Sequence, residues 1–203
     1  MKALIWDLDG TLNDSYPRMV DCLYRVCKDF FIDTDKASIN QYITQYSIGE
    51  WLSEYETNRD LMHAAFQAYL EESEIPVPLI KDALAALQWG KEHGYAQFIY
   101  THSPSTIKQR LESLQITSFF TEVITIDNGF APKPNPQAYH YLNDKYHFDT
   151  AYYIGDRTLD MDFAVNSGIK GVLYLPKNSY VIPNGNESYI IDSLKQLSII
   201  EGK

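Results

Sequence analysis

The stretch A-L-I-W-D-L-D-G-T-L-N, from Ala3 to Asn13, points to the fold and to a functional site at once. Its first four residues are an unbroken apolar run, which predicts a strand buried on both faces of a parallel sheet. Asp7 and Asp9 follow, and side chains two residues apart on a strand point to the same side. The two carboxylates are therefore expected to share one space at the strand's carboxyl end, where α/β sheets bind ligands. Because two such acids repel unless a cation lies between them or one is protonated, the pair indicates a metal site, a proton-transfer site or both.

Length and composition are those of an ordinary globular protein with at most two lobes. The 203 residues are 45% apolar and 22% charged, which provides enough material for a core. No apolar run approaches the ~20 residues that a membrane-spanning helix needs, and Asp7 and Asp9 interrupt the segment where a signal peptide would be apolar. Cys22 and Cys27 are the only cysteines. They lie on different faces of a predicted helix, which indicates reduced thiols and a cytoplasmic protein.

The formal net charge of −10 argues against nucleic acid and anionic membranes as partners. It also sets a condition for any phosphate site, because the overall field of the protein repels anions. Attraction to a phosphate must therefore be local, from a metal ion, a lysine or backbone amides.

The pattern of helices and strands divides the chain into a core and an insert. An all-helical insert is predicted at 14–78, with helices at 16–31, 34–46, 50–56 and 58–74. Beyond it, strands at 95–100, 122–126, 151–154, 171–175 and 189–191 alternate with helices at 79–93, 104–114, 134–146 and 159–167, and a short helix follows from Ser193. This alternation predicts a parallel sheet with right-handed crossovers, to which the first strand also belongs. The predicted core is therefore 1–13 together with 79–203.

Several polar residues are expected at the same edge of this sheet as the aspartate pair. Thr101 follows one strand, Asp156 follows another, and Asp160 lies in the first turn of the next helix. Lys133 lies between two prolines just before a helix, which favours a fixed position. Taken singly, Thr101 could be a helix-terminal residue, Asp156 a helix cap and Lys133 a solvated loop residue. Their common placement makes a shared site the better interpretation.

Four segments carry a family resemblance. D-L-D-G-T-L at Asp7–Leu12, Thr101 after its strand, K-P-N-P at Lys133–Pro136 and G-D-R-T-L-D at Gly155–Asp160 resemble the four motifs of the haloacid dehalogenase superfamily. The likeness is to the phosphoglycolate-phosphatase-like branch of subfamily I. It covers the whole chain and implies a Rossmann-like core with helices on both faces, plus an inserted all-α cap domain.

The resemblance implies a reaction and a cofactor. Asp7 would be the nucleophile that takes up the phosphoryl group, and Asp9 the general acid and then the general base. Mg²⁺ would be held by the side chains of Asp7 and Asp156 and by the backbone carbonyl of Asp9, since this hard ion prefers oxygen ligands.

The resemblance also implies phosphate-binding residues. Thr101 and Lys133 would bind the transferring oxygens, with Lys133 also orienting Asp7. Asp160 would support Lys133 or a metal-bound water. The family often has Asn after the threonine, and this chain has His102. The amide of His102 is expected to bind phosphate, while its imidazole either meets the substrate or packs against a neighbour.

The expected activity is hydrolysis of a small phosphorylated metabolite such as phosphoglycolate, a sugar phosphate or a nucleoside monophosphate. Dehalogenation is disfavoured because dehalogenases of the family lack an acid at the position of Asp9. Mutase-type phosphoryl transfer and a non-catalytic regulatory role remain alternatives, and the protein would be a monomer or homodimer. Substrate choice would reside in the cap, where a glycine break at Ser47–Gly49 makes the turn at Tyr46–Trp51 a candidate substrate loop.

Overall fold

A six-stranded parallel sheet organises the larger part of the protein. The computed structural model describes residues 1–202, apart from the side chain of Glu56. Its strands are β1 (Lys2–Trp6), β2 (Tyr95–Tyr100), β3 (Glu122–Ile124), β4 (Thr150–Gly155), β5 (Lys170–Tyr174) and β6 (Tyr189–Ile191). They lie in the order β3-β2-β1-β4-β5-β6, and all of these pairings are parallel.

The register of the three central strands brings their carboxyl ends to one level. Trp6, the last residue of β1, pairs with Ile99 of β2 and with Ile154 of β4. Residues 3–6 have no exposed surface, which confirms the prediction of a strand covered on both faces. The residues that follow β1, β2 and β4 therefore lie side by side at one edge of the sheet.

Eight α-helices are found among residues 1–202. They are α1 (Tyr16–Asp29), α2 (Lys36–Gln45), α3 (Ile48–Ser53), α4 (Arg59–Glu72), α5 (Ala83–Glu92), α6 (Ile107–Ser113), α7 (Gln137–Tyr146) and α8 (Thr158–Asn166). None of these helices has the length and the apolar character that crossing a membrane requires. The predicted helix at 134–146 begins only at Gln137, so the proline-rich segment around Lys133 is a loop.

The chain forms two compact units, and the sheet belongs to the first, which comprises Met1–Asn13 and the chain from Pro78 onwards. Leu4 and Trp6 pack on one face of the sheet with α5, α6 and a 3-10 helix at Leu194–Glu201. Ala3 and Ile5 pack on the other face with α7 and α8. A parallel sheet with helices on both faces is a Rossmann-like α/β fold. The predicted fold class is thereby confirmed.

The second unit, Asp14–Val77, is helical and has its own core. Side chains from all four of its helices, among them Leu23, Ile39, Trp51 and Met62, form one buried cluster. Cys22 and Cys27 are buried in this unit as free thiols. Its role as a cap over the active site stays a prediction.

The prediction of a glycine break in the second unit is wrong. Gly49 lies within α3, which begins at Ile48. Ser47 precedes the helix in an extended conformation, and its Oγ accepts the backbone N–H of Glu50 at 2.9 Å. A serine N-cap satisfies a helix-terminal amide in this way, so the cap at Ser47, rather than the glycine, separates α2 from α3.

Candidate active site

The chain turns sharply after β1, and this turn fixes the positions of the two aspartates. The backbone N–H of Asp7 donates to the carbonyl of Ile154 at 2.8 Å, which places Asp7 beside the end of β4. The carbonyl of Leu8 accepts the N–H of Asn13 at 3.0 Å. Gly10 has a φ angle of 85°, a left-handed conformation that glycine adopts without a steric penalty. The segment after Asp7 is therefore a closed turn and not a continuation of the strand.

A buried lysine joins two of the aspartates. Lys133 Nζ donates to Asp7 Oδ1 at 2.6 Å and to Asp160 Oδ1 at 2.7 Å. The lysine side chain is only 2% exposed. Burial by itself would lower the pKa of Lys133, but the charges of Asp160 and Asp7 outweigh it and hold that pKa well above its ordinary value. The ammonium group of Lys133 is thus a cation held in a fixed position at the carboxyl end of β1.

Three carboxylates surround a small volume beside this lysine. One oxygen each from Asp7, Asp156 and Asp160 lies within 4.8 Å of the others, and all three residues are buried. Thr11 Oγ1 donates to Asp156 Oδ1 at 3.0 Å. Burial raises the pKa of Asp7 to about 8, since the charges of Asp160 and Asp156 add to this effect and Lys133 only partly offsets it. Three acids facing one ammonium, with oxygen donors only, fit a hard divalent cation.

The carboxylate of Asp9 has a separate set of partners. The Ser103 hydroxyl donates to Asp9 Oδ2, and Arg110 Nη1 lies 3.3 Å from Asp9 Oδ1. When the side-chain amide of Asn13 is oriented with its nitrogen towards acceptors and its oxygen towards donors, the nitrogen donates to Asp9 Oδ1 at 3.2 Å. The oxygen then accepts from Arg110 Nη1 at 3.1 Å. Among the described residues, the Asp9 side chain is thus outside the group of three clustered carboxylates.

Thr101 lies directly after β2 at the same sheet edge. Its N–H donates to the carbonyl of Ile124 at 3.0 Å, which continues the pairing of β2 with β3. Its Oγ1 accepts the backbone N–H of Ser103 at 3.1 Å, and the residue is 2% exposed. Thr101 is therefore a fixed residue of the strand end and precedes α6 by several residues.

His102 contacts the loop that carries the lysine. Its Nε2 accepts the backbone N–H of Lys133 at 2.8 Å, and its ring meets the ring of Tyr100 edge-on with centroids 6.2 Å apart. Burial lowers the pKa of His102 to about 4, and the charges of Lys133 and Arg157 act in the same direction. The imidazole is therefore neutral at pH 7, with its proton on Nδ1 because Nε2 is an acceptor.

A comparison of the chain with known protein families finds a match that includes this site. The family model described as haloacid dehalogenase-like hydrolase matches residues 4–174, a span that holds all the site residues described above. The chain belongs to the haloacid dehalogenase-like hydrolase family. The prediction of the family is confirmed, and the chain is a hydrolase.

Relatives of this hydrolase match along almost its whole length. The phosphoglycolate phosphatase of Vibrio vulnificus is 25% identical over 218 residues, covering 97% of this chain and 94% of that protein. Pyrophosphatase PpaX of Oceanobacillus iheyensis is 22% identical over 210 residues, covering 100% and 97%. The crystal structure of a predicted phosphoglycolate phosphatase from Haemophilus somnus has a TM-score of 0.83 at 21% identity, covering 99% of this chain and 98% of that one. This structural likeness shows that the hydrolase shares the fold.

The structure adds residues that the sequence did not single out for the site. Thr11 binds Asp156, Arg110 and Ser103 bind Asp9, and Tyr153 Oη accepts from Lys133 Nζ at 3.0 Å. Thr11 was within reach of prediction, since it lies in the segment D-L-D-G-T-L that also holds Asp7 and Asp9. The structure shows that it is fully buried despite being polar. The others come from separate elements whose side chains meet only through the tertiary fold.

Gly155 is needed for close packing at the same place. A Cβ on this residue would collide with the side chain of Asp160. The glycine therefore allows α8 to bring Asp160 against the end of β4 and within reach of Lys133.

Proposed function

We propose that this hydrolase is a magnesium-dependent phosphatase that acts on a small phosphorylated metabolite through an aspartyl-phosphate intermediate. The observation that carries the proposal is the contact of Asp7 with the buried Lys133 inside a cluster of carboxylates at the sheet edge. Two relatives carry the names phosphoglycolate phosphatase and pyrophosphatase, which favours a phosphorylated substrate. Phosphoglycolate, a sugar phosphate and a nucleoside monophosphate are the candidate substrates.

Asp7 and Asp9 perform the two chemical steps. A carboxylate oxygen of Asp7 attacks phosphorus, and the bond between phosphorus and the leaving oxygen breaks while Asp9 gives that oxygen a proton. Asp9 then takes a proton from the water that attacks the phosphorus of the aspartyl phosphate. Inorganic phosphate leaves, Asp7 is a free carboxylate again, and Asp9 has regained the proton that it gave to the leaving oxygen.

Lys133 and Thr101 bind the oxygens of the transferred group, and together with Mg²⁺ they would supply the local attraction that a chain with a net charge of −10 requires. Lys133 also fixes Asp7 through its 2.6 Å contact. Asp160 fixes the lysine from the other side, because its Oδ2 is held by the N–H of Arg157 at 3.1 Å while its Oδ1 meets Nζ. His102 restrains the backbone of the lysine loop at 2.8 Å, and its own amide is left to face the phosphate.

Mg²⁺ would be held by the side chains of Asp7 and Asp156 and the backbone carbonyl of Asp9. When bound it would lower the repulsion between Asp7 and the phosphate dianion. The fit rests on the buried carboxylates within 4.8 Å of each other and on the raised pKa of Asp7, which reflects burial first and then the nearby charges of Asp160 and Asp156.

The proposal is tested by measuring phosphate release with magnesium from 2-phosphoglycolate, sugar phosphates, nucleoside monophosphates and pyrophosphate. The wild type is compared with Asp7→Asn and with Asp144→Asn, which changes an exposed aspartate on α7 in the same way. We expect Asp7→Asn and EDTA each to abolish release, and Asp144→Asn to leave it unchanged.

Two results would count against the proposal. Release by Asp7→Asn at the wild-type rate would show that Asp7 is not the nucleophile. No release from any ester by folded, magnesium-loaded wild type would reject the phosphatase activity and direct attention to mutase activity or to a binding role.

A further inference from the structure

All three N–H groups of the Lys133 ammonium are already used by acceptors of this chain. They are Asp7 Oδ1 at 2.6 Å, Asp160 Oδ1 at 2.7 Å and Tyr153 Oη at 3.0 Å. An ammonium group has three donors and no others. A phosphoryl oxygen can therefore accept a hydrogen bond from Lys133 only when one of these three acceptors gives way.

The Tyr153 hydroxyl is the weakest of the three acceptors. It is neutral, whereas Asp160 is a carboxylate and Asp7 would be one in the magnesium-loaded protein, and hydrogen bonds between charged partners are shorter and stronger. Its contact is also the longest of the three. An exchange at Tyr153 therefore costs the least.

The position of Tyr153 suits such an exchange. Its own O–H donates to the carbonyl of Tyr100 at 2.8 Å, so the oxygen keeps a partner when the lysine leaves it. The residue has no exposed surface, and its ring packs edge-on against Phe163 with centroids 4.8 Å apart. The hydroxyl is thus held in place by the fold and not by the lysine.

We propose that the Tyr153 hydroxyl is a stand-in acceptor that holds the third N–H of Lys133 until a phosphoryl oxygen replaces it. Tyr153 is then a positioning residue that acts through Lys133 and competes with phosphate for one donor. The inference rests on the proposed function, since it takes phosphate as the ligand of the site. It predicts that removing the hydroxyl strengthens phosphate binding, because the freed N–H has only the phosphate as a partner.

The test is calorimetric titration of the magnesium-loaded protein with inorganic phosphate, using wild type, Tyr153→Phe and Tyr152→Phe. Tyr152 is the preceding residue on β4, and its buried hydroxyl donates to the carbonyl of Ile200 at 3.2 Å on the other face of the sheet. The control thus removes a buried tyrosine–carbonyl hydrogen bond without touching Lys133. We expect Tyr153→Phe to lower the dissociation constant of phosphate about threefold to tenfold, the range of one net hydrogen bond, and Tyr152→Phe to leave it unchanged.

Each other outcome overturns the inference. Unchanged or weaker phosphate binding by Tyr153→Phe, with wild-type turnover intact, rejects the exchange and leaves the proposed function standing. Wild type that neither binds phosphate nor turns over an ester rejects both. Should Tyr153→Phe fail to fold, wild type labelled with carbon-13 at tyrosine Cζ serves instead: phosphate must shift the assigned Tyr153 resonance, and an unmoved resonance rejects the exchange.

Discussion

Replacing Asp7 by Asn should make the metal-free protein more stable. Burial, together with the charges of Asp160 and Asp156, raises the pKa of Asp7 from 3.8 to about 8 despite the contact with Lys133. A group whose pKa is raised on folding favours the folded state fully below its unfolded pKa, and this stability is lost as the pH rises towards the folded value. Asn avoids this loss because it carries no charge, while its amide oxygen can still accept from the lysine.

The size of the effect follows from the difference between the pH of the assay and the pKa of Asp7 in the unfolded chain. About three pH units separate pH 7 from the ordinary pKa of 3.8, and each unit corresponds to about 1.4 kcal/mol. The gain in the free energy of unfolding is therefore at most about 4 kcal/mol at pH 7. For a chain of this length, each kcal/mol raises the melting temperature by about 2–4 °C. The gap between the variant and the wild type should widen from pH 5 to pH 8 and stay constant above that.

The assay is denaturant unfolding followed by circular dichroism in EDTA at several pH values, for wild type, Asp7→Asn and the exposed Asp144→Asn. Asp144→Asn should match the wild type throughout. An Asp7→Asn protein that is no more stable than wild type at pH 7, or a gap that narrows as the pH rises, would refute the reasoning. It would mean that Asp7 is ionised without metal and that Lys133 outweighs burial.

Three further substitutions test the surroundings of the site. His102→Leu leaves the part-buried N–H of Lys133 without its acceptor, so we expect the free energy of unfolding to fall by about 1–3 kcal/mol and phosphate release to be slower. His102→Gln should recover part of both, and equal behaviour of the two variants in melting and turnover assays would contradict this. Arg110→Ala should remove a contact that holds the carboxylate of Asp9. We expect kcat/KM to fall about tenfold more for an alkyl phosphate than for p-nitrophenyl phosphate, because the alkyl leaving group needs a proton. Equal losses for the two esters would show that Arg110 does not act through Asp9. Gly155→Ala should lower both the melting temperature and turnover, because the added Cβ meets the carboxylate behind β4; wild-type values of both would show that α8 moves aside freely.

The place of the site could be predicted because it follows from the sheet alone. Trp6 pairs with Ile99 and with Ile154, so any polar residue shortly after these three positions must lie at the same edge. These polar residues are Asp7, Thr101 and Asp156, and the predicted pattern of strands was sufficient to place them at one edge of the sheet. Lys133 follows no such rule, since it lies in a loop after β3. Its position between two prolines before a helix favoured a fixed place at the site, and its role came from the resemblance to a family.

The contacts of the site could not be predicted, because they depend on side chains that meet across elements. Nothing in the spacing of Arg110 or Tyr153 distinguishes them from other residues of a helix and a buried strand. The salt bridge from Arg110 to Asp9 requires the turn after β1 to close in one particular way. The error at Gly49 has a local cause: glycine lowers helix stability only modestly, and the serine cap before it is enough to begin α3.

The charges of the site determine what the proposed binding of an anionic substrate would require. Asp7, Asp156 and Asp160 face a single buried ammonium, so the site carries more negative than positive charge when no cation is bound. Burial, together with the charges of Asp160 and Asp156, raises the pKa of Asp7 and destabilises the empty site. A bound divalent cation would offset both effects, and because it would have to displace the proton from Asp7, its affinity should rise with pH up to about 8. Under the proposed function, the carboxylate cluster therefore makes phosphate binding depend on the metal, and Lys133 alone is not sufficient to attract the substrate.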